Sequence, residues 1–146
     1  MTQTTPTDTA QSTEANKHVI RKLFDEAFNQ GNLETVDGLW IPSELESGKR
    51  SIVALRSAFP DYHRTIEAQI ADGDLVVTRW TARGTHRGPF SSRILGTTVA
   101  PTGARFDTPG ISMHRVEAGR VVEAWVMGND SAELLLQLGA LRTQTG

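Results

Sequence analysis

The sequence contains no cysteine. Disulfides, thiolate metal sites and cysteine nucleophiles are excluded at once, and a cytoplasmic protein loses nothing by it. Long apolar runs are missing too: no stretch would cross a bilayer as a helix. The N-terminus has neither the basic nor the apolar region of a signal peptide. An excess of one charge is also lacking, since 15 Lys and Arg against 17 Asp and Glu leave −2. That balance offers no broad surface for nucleic acid or membrane. Hydrophobic residues make up only 38%, which suits one core plus a polar tail. The expectation is a soluble, cytoplasmic, single-domain protein.

Residues 1–14, MTQTTPTDTAQSTE, are rich in Thr and nearly free of apolar groups, so they predict a disordered tail. Residues 15–142 form the predicted domain, with a short C-terminal tail at 143–146. From Asn16 a helical stripe begins, carried by Val19, Ile20, Leu23, Phe24, Ala27 and Phe28. Gly31 is its expected cap. Leu33, Val36, Leu39 and Trp40 suggest a short second helix. Residues 41–49, with Pro42 and Gly48, read as a linker. Ile52, Val53, Leu55, Arg56 and Phe59 suggest a third helix stopped by Pro60.

The remainder is strand-like. Ile66, Ala68 and Ile70 alternate with Thr65, Glu67 and Gln69, and Asp72-Gly73-Asp74 signals a turn. In the run that follows, Trp80 and Ala82 oppose Arg79 and Arg83; unpaired arginine is rare in cores, so Trp80 is placed inward. Residues 88–104 form a long loop of the kind that serves as a lid or binding loop, or simply connects. Residues 110–141 organise the rest. Val122, Ala124 and Val126 share one strand face, and Val121, Glu123, Trp125 and Met127 share the other. Glu117-Ala118-Gly119 marks a hairpin. Ser131 can cap a last helix carrying Leu134, Leu135 and Leu138, and Gly139 can end it. Helices segregated from four strands in hairpins give an α+β fold. A curved antiparallel sheet under N-terminal helices would enclose an apolar pocket.

The segments AFNQGNLETVDGLW, ALRSAFPDY, VVTRWTARGTHRGPF, APTG and GRVVEAW, followed by LLLQLGAL, resemble in that order the SnoaL-like polyketide cyclases. That family lies within the nuclear-transport-factor-two-like superfamily of α+β cones, and the resemblance covers roughly residues 16–141. It implies a cone-shaped pocket, usually a homodimer, no metal and no organic cofactor, with aldol ring closure as the typical activity. Relatives include hydroxylases, hydrolases, isomerases and plain binders, so fold alone does not fix the chemistry. The family's catalytic residues do not carry over. Val126 stands at the position of the general acid/base Asp and Ala124 at that of its His partner. Gly110 and Ser112 stand where the family cyclase has Gln and His, and the strand bearing a pocket Asn is missing after Trp40.

What remains is a predicted pocket for a hydrophobic small molecule. Its expected walls are Trp80, Ala82, Gly110, His114, Val122, Ala124 and Val126, with Ser112 as a small polar point and a catalytic candidate. His86 is a candidate general base or a loop anchor. Asp130 is a candidate replacement carboxylate or part of the turn before the last helix. Asp107 points outward by alternation, and His18 and His63 read as surface residues. Trp125 and Met127, on the face away from the pocket, suggest dimerisation through the outer sheet. Three functions compete: a cofactor-independent cyclase or isomerase of polyketide-like substrates, a hydroxylase- or hydrolase-like relative, and a non-catalytic binder or partner stabiliser.

Overall fold

A computed structural model of the chain describes residues 6–142. Helix α1 runs from Pro6 to Lys22 and continues into a π-helical segment, Leu23–Phe28. Helices α2 (Glu34–Leu39) and α3 (Pro42–Ala58) follow. Strands β1 (His63–Asp72), β2 (Leu75–Thr85), β5 (Arg105–Glu117) and β6 (Arg120–Met127) form one antiparallel sheet in the order β1-β2-β5-β6. A separate hairpin pairs β3 (Phe90–Ser92) with β4 (Thr97–Val99), and α4 (Ala132–Leu138) closes the chain. The α+β class with N-terminal helices is as expected. Among the described residues no helix is long and apolar enough to cross a membrane.

The core lies between the helices and one face of the sheet. Ile20, Leu23 and Phe24 pack from the first helix, Ile52 and Leu55 from α3, and Leu134, Leu135 and Leu138 from α4. They meet Val76, Trp80, Phe106 and Val116 on the strands. Trp80 is fully buried and Arg79 and Arg83 are exposed, as alternation requires. Ser131 caps α4 by accepting from the Leu134 amide at 3.1 Å, and Gly139 ends it at φ 81°.

Four expectations need correction. The helix starts at Pro6, so residues 6–14 of the expected tail belong to α1. Proline is well placed in a first helical turn, where its missing N–H has no intrahelical acceptor to lose. Extending an existing helix is also far easier than nucleating one. The tails expected at residues 1–5 and 143–146 lie outside the described residues. Residues 42–49 of the expected linker are helix, because Pro42 opens α3 rather than breaking it. Loop 88–104 contains the β3–β4 hairpin.

The fourth correction concerns strand parity. The β5–β6 register shifts between Arg115 and Val116, leaving Val122 as the extra residue of a bulge. Val121 therefore enters the core and Val122 is only half-buried. A similar shift in β1 between Ile66 and Ala68 turns Gln69 inward, opposite Thr78, and leaves Ile70 70% exposed.

Candidate functional site

Two adjoining cavities lie on the helix side of the sheet. The larger, about 990 Å³, is a cleft between α3 (Ser51, Ala54, Leu55), Phe90 and Arg93 of the hairpin, and the end of β6 with the following turn. It opens past that end onto the outer-face residues Arg79, Ile111 and Met127. The smaller, about 210 Å³ and more enclosed, is walled by Phe28, Trp40, Gly48, Arg64, His114 and Ala124, with Glu44 and Glu123 also on it. Ser51, Val126 and Asn129 line both. Ala124 and Val126 pair with His114 and Ser112 across the sheet, so they face the helices. Val126 is nevertheless 41% exposed, because β6 is an edge strand that α3 does not seal.

Arg64, unremarked in the sequence, is the most unusual residue of the site. It is 2% exposed. Its guanidinium carbon lies 3.9 Å from the ring centre of Phe28, 4.2 Å from Trp80, 4.9 Å from Phe24 and 5.7 Å from Tyr62. The π-helical segment helps build this box. It closes with the Asn29 amide donating to the Phe24 carbonyl, a five-residue step, and it sets Phe24 and Phe28 edge to face, 5.8 Å apart. Such π segments are frequent at functional sites. Asn29 fixes the backbone of Arg64 with two bonds, accepting from its amide at 2.7 Å and donating to its carbonyl at 3.0 Å. Arg64 Nε donates to the Tyr62 hydroxyl at 2.8 Å, and Nη2 donates to Asn129 Oδ1. Among the described residues no carboxylate pairs with it.

The signal that could have found Arg64 is alternation. Tyr62, Arg64 and Ile66 have the parity of the core face, but arginine reads by default as a surface residue. The side chains around it come from four separate stretches of chain, which no local pattern connects.

The expected site residues divide. His114 lines the smaller cavity, and the edge of Phe24 approaches its ring at 6.4 Å. Burial, and then the positive charge of Arg64, hold its imidazole pKa down to about 4, so it is neutral at pH 7. Its Nδ1 has no hydrogen-bond partner among the described residues, nor do Ser112 Oγ and Trp80 Nε1. Ser112 is buried beside its cross-strand partner Val126 and lines neither cavity. Trp80 and Ala82 are core residues rather than cavity wall. The Trp80 indole crosses the space above Gly110, where a Cβ would overlap ring carbons Cη2, Cζ2 and Cζ3. Gly110 thus makes room for the ring and offers only its backbone to the larger cleft. Val122 lines neither cavity; Val121 takes its place in the smaller one.

His86 stands outside both cavities. Its Nδ1 accepts from the Thr102 amide at 3.2 Å, its own amide donates to the Ala104 carbonyl, and its ring packs 5.7 Å from Phe59. It anchors the segment leading into β5, and burial pushes its pKa below the ordinary value. Asp130 reaches the larger cleft, but its carboxylate is occupied. It accepts from Ser92 Oγ at 3.0 Å and from the amides of Arg93 and Ile94 at 2.6 and 3.3 Å, tying the hairpin to the turn before α4. Asp107 is exposed and paired with Arg83 at 3.2 Å. Among the described residues no group of three or more His, Asp or Glu could hold a metal ion.

Solved structures share this architecture. IdmH, a proposed polyketide cyclase from Streptomyces antibioticus, is 34% identical, with 85% of this chain and 98% of that chain covered and a TM-score of 0.66. TsrD from Streptomyces laurentii is 25% identical, with 88% and 97% covered and a TM-score of 0.77. AclR, a proposed hydroxylase from Streptomyces galilaeus, is 26% identical, with 90% and 89% covered and a TM-score of 0.73. Among curated proteins, none matches the sequence. The family model of the SnoaL-like polyketide cyclases matches residues 18–138, nearly the whole described domain, and the chain belongs to that family.

Proposed function

We propose that the protein is a cofactor-independent tailoring enzyme that closes a ring in, or isomerises, a hydrophobic polyketide-like substrate held in the paired cavities. The observation that carries this reading is the continuous wall from Val126 through Ala124 to His114 and Arg64, an apolar approach ending on a small polar set. Ala124 and Val126 offer no titratable group, the Asp130 carboxylate is committed to the hairpin and Glu123 is paired with Arg115, which leaves Glu44 as the carboxylate of the smaller cavity with no ion pair among the described residues. Rate enhancement is assigned mainly to holding a flexible chain in a reactive shape, which in favourable cases is worth about 7–11 kcal/mol. A homodimer formed through Ile111, Trp125 and Met127 is part of the proposal, supported by their exposure on the outer face.

Purified protein incubated with linear polyketide-like precursors should give a product absent from a boiled control. Ala124→Phe, which projects a ring into the smaller cavity, should abolish that product while the protein remains folded by circular dichroism. Unchanged turnover in Ala124→Phe would refute the siting. The aliphatic Ala124 and Val126 also suit a second reading, a protein that binds its ligand unchanged. Tight binding without turnover of any precursor would favour that reading. Incorporation of oxygen from labelled water or dioxygen would point instead to hydrolase- or hydroxylase-like chemistry.

A further inference from the structure

A buried cation with no counter-charge is costly, and folded proteins normally neutralise or pair such groups. Arg64 is held in this condition by dedicated contacts. Asn29 fixes its backbone, Tyr62 and Asn129 take Nε and Nη2, and Phe28 and Trp80 lie against the guanidinium. Nη1 donates to nothing among the described residues, yet it is not one of the sealed, unpartnered atoms of the interior. Arg64 lines the smaller cavity, so that is where the free donor can be met. The carboxylates on the same cavity do not neutralise it. Glu123 accepts from Arg115 at 2.9 Å, and Glu44 is exposed and makes no ion pair with Arg64. At the Nη2 contact, where an acid would complete a pair, the chain has the neutral amide of Asn129.

We propose that Arg64 is a substrate-anchoring residue whose free Nη1 donates to one oxygen of a delocalised anion, the carboxylate or 1,3-dicarbonyl enolate of the ligand, in the smaller cavity. The proposal rests on reading the paired cavities as the ligand site. A hydrogen bond from a cationic donor to an anionic oxygen is roughly twice as strong as one between neutral groups. The aromatic box keeps water away from the contact, which strengthens it. The neighbouring His114 adds no positive charge at pH 7, since it is neutral there, so Arg64 is the one cation among the described residues lining the smaller cavity. The apolar body of the ligand would then run past Val126, which lines both cavities. The substrate class is narrowed to a hydrophobic chain or ring ending in an acid or an acidic 1,3-dicarbonyl.

Calorimetric titration tests this with 2-naphthoate and its methyl ester as probes. Wild-type protein should bind the acid more tightly by about 10- to 100-fold, the range for a hydrogen bond to a charged group. Arg64→Met removes the charge and keeps the length of the stem. Asn129→Asp keeps Arg64 and supplies an internal counter-charge at nearly the same shape. Both variants should lose the preference for the acid while still binding the ester, and Asn129→Asp provides the test if Arg64→Met does not fold. A second pair of probes, 1-phenylbutane-1,3-dione and its 2,2-dimethyl derivative, which cannot form the 1,3-dicarbonyl enolate, separates the sources. Preference for the enolisable diketone extends the anchor to enolates, and preference for naphthoate alone confines it to carboxylates. Equal binding of acid and ester to wild type, or a preference that survives Asn129→Asp, overturns the role of Arg64 and leaves the cavities a ligand site. Binding of neither naphthalene probe overturns both.

Discussion

Gly110→Ala adds one methyl group and should be among the more damaging small changes in the domain. The Cβ would overlap three carbons of the Trp80 indole, whereas carbon atoms rest about 3.5–4.0 Å apart, so the ring must move by roughly 1 Å or more. It has nowhere to go. Trp80 is fully buried, its ring meets Phe24 edge to face at 6.4 Å, and Arg64 covers it at 4.2 Å. On the remaining side Gly128 is so close that a Cβ there would lie 3.1 Å from Cη2. Overpacking of this kind costs about 1–3 kcal/mol, which for a chain of this size lowers Tm by roughly 3–12 °C. Urea unfolding of wild type, Gly110→Ala, Trp80→Leu and the double variant would test the cause. If the clash is with the indole, removing the ring relieves it, and the double variant should be less destabilised than the sum of the singles by about 1–3 kcal/mol. A neutral Gly110→Ala, or strict additivity in the cycle, would refute the account.

Other expectations follow from the same packing. Gly48→Ala in α3 should destabilise despite better helix propensity, because its Cβ would overlap the Trp40 ring; Gly38→Ala in α2 meets nothing within 4 Å and should stabilise by about 0.5–1 kcal/mol, so thermal melts should move in opposite directions. His114, with a folded pKa of about 4 against an ordinary 6.5, leaves the unfolded chain binding the extra proton between those values. Stability should therefore fall as pH drops through that window, by at most about 3 kcal/mol from this residue, and His114→Leu should flatten that part of the stability–pH curve; an unchanged slope would show that His114 does not carry it. Trp125→Glu with Met127→Lys should shift the protein from dimer to monomer in light scattering, and a wild type already monomeric at micromolar concentration would remove the proposed interface.

The sequence discloses most where one local rule acts alone. Trp80 and Arg79 separate by simple alternation, and Ser131 and Gly139 mark the two ends of α4. The failures arise where two rules meet. Pro42 can end a helix or begin one, and only the docking of Trp40 against Gly48 shows that α3 starts there. The bulges in β1 and β6 each insert one residue, which reverses every inside–outside assignment on one side of it. A pattern of period two carries no mark of where it is interrupted, so Val122 and Val121 exchange roles. The site was legible only in part. Ala124, Val126 and His114 lie on the smaller cavity, where their strand parity puts them. His86, by contrast, bonds Thr102 through Nδ1 and leaves Nε2 without a partner among the described residues, and Asp130 holds the hairpin. Arg64 depends on contacts from Phe24, Phe28, Trp80 and Asn129, which come together only when the chain is folded.

The most direct test is a crystal structure of the wild-type protein with 2-naphthoate bound. The carboxylate should lie within hydrogen-bond distance of Arg64 Nη1, with the naphthyl ring running past Val126 toward the larger cleft. A ligand seated elsewhere, or Arg64 paired with the chain's own Glu44 in the occupied cavity, would contradict the account.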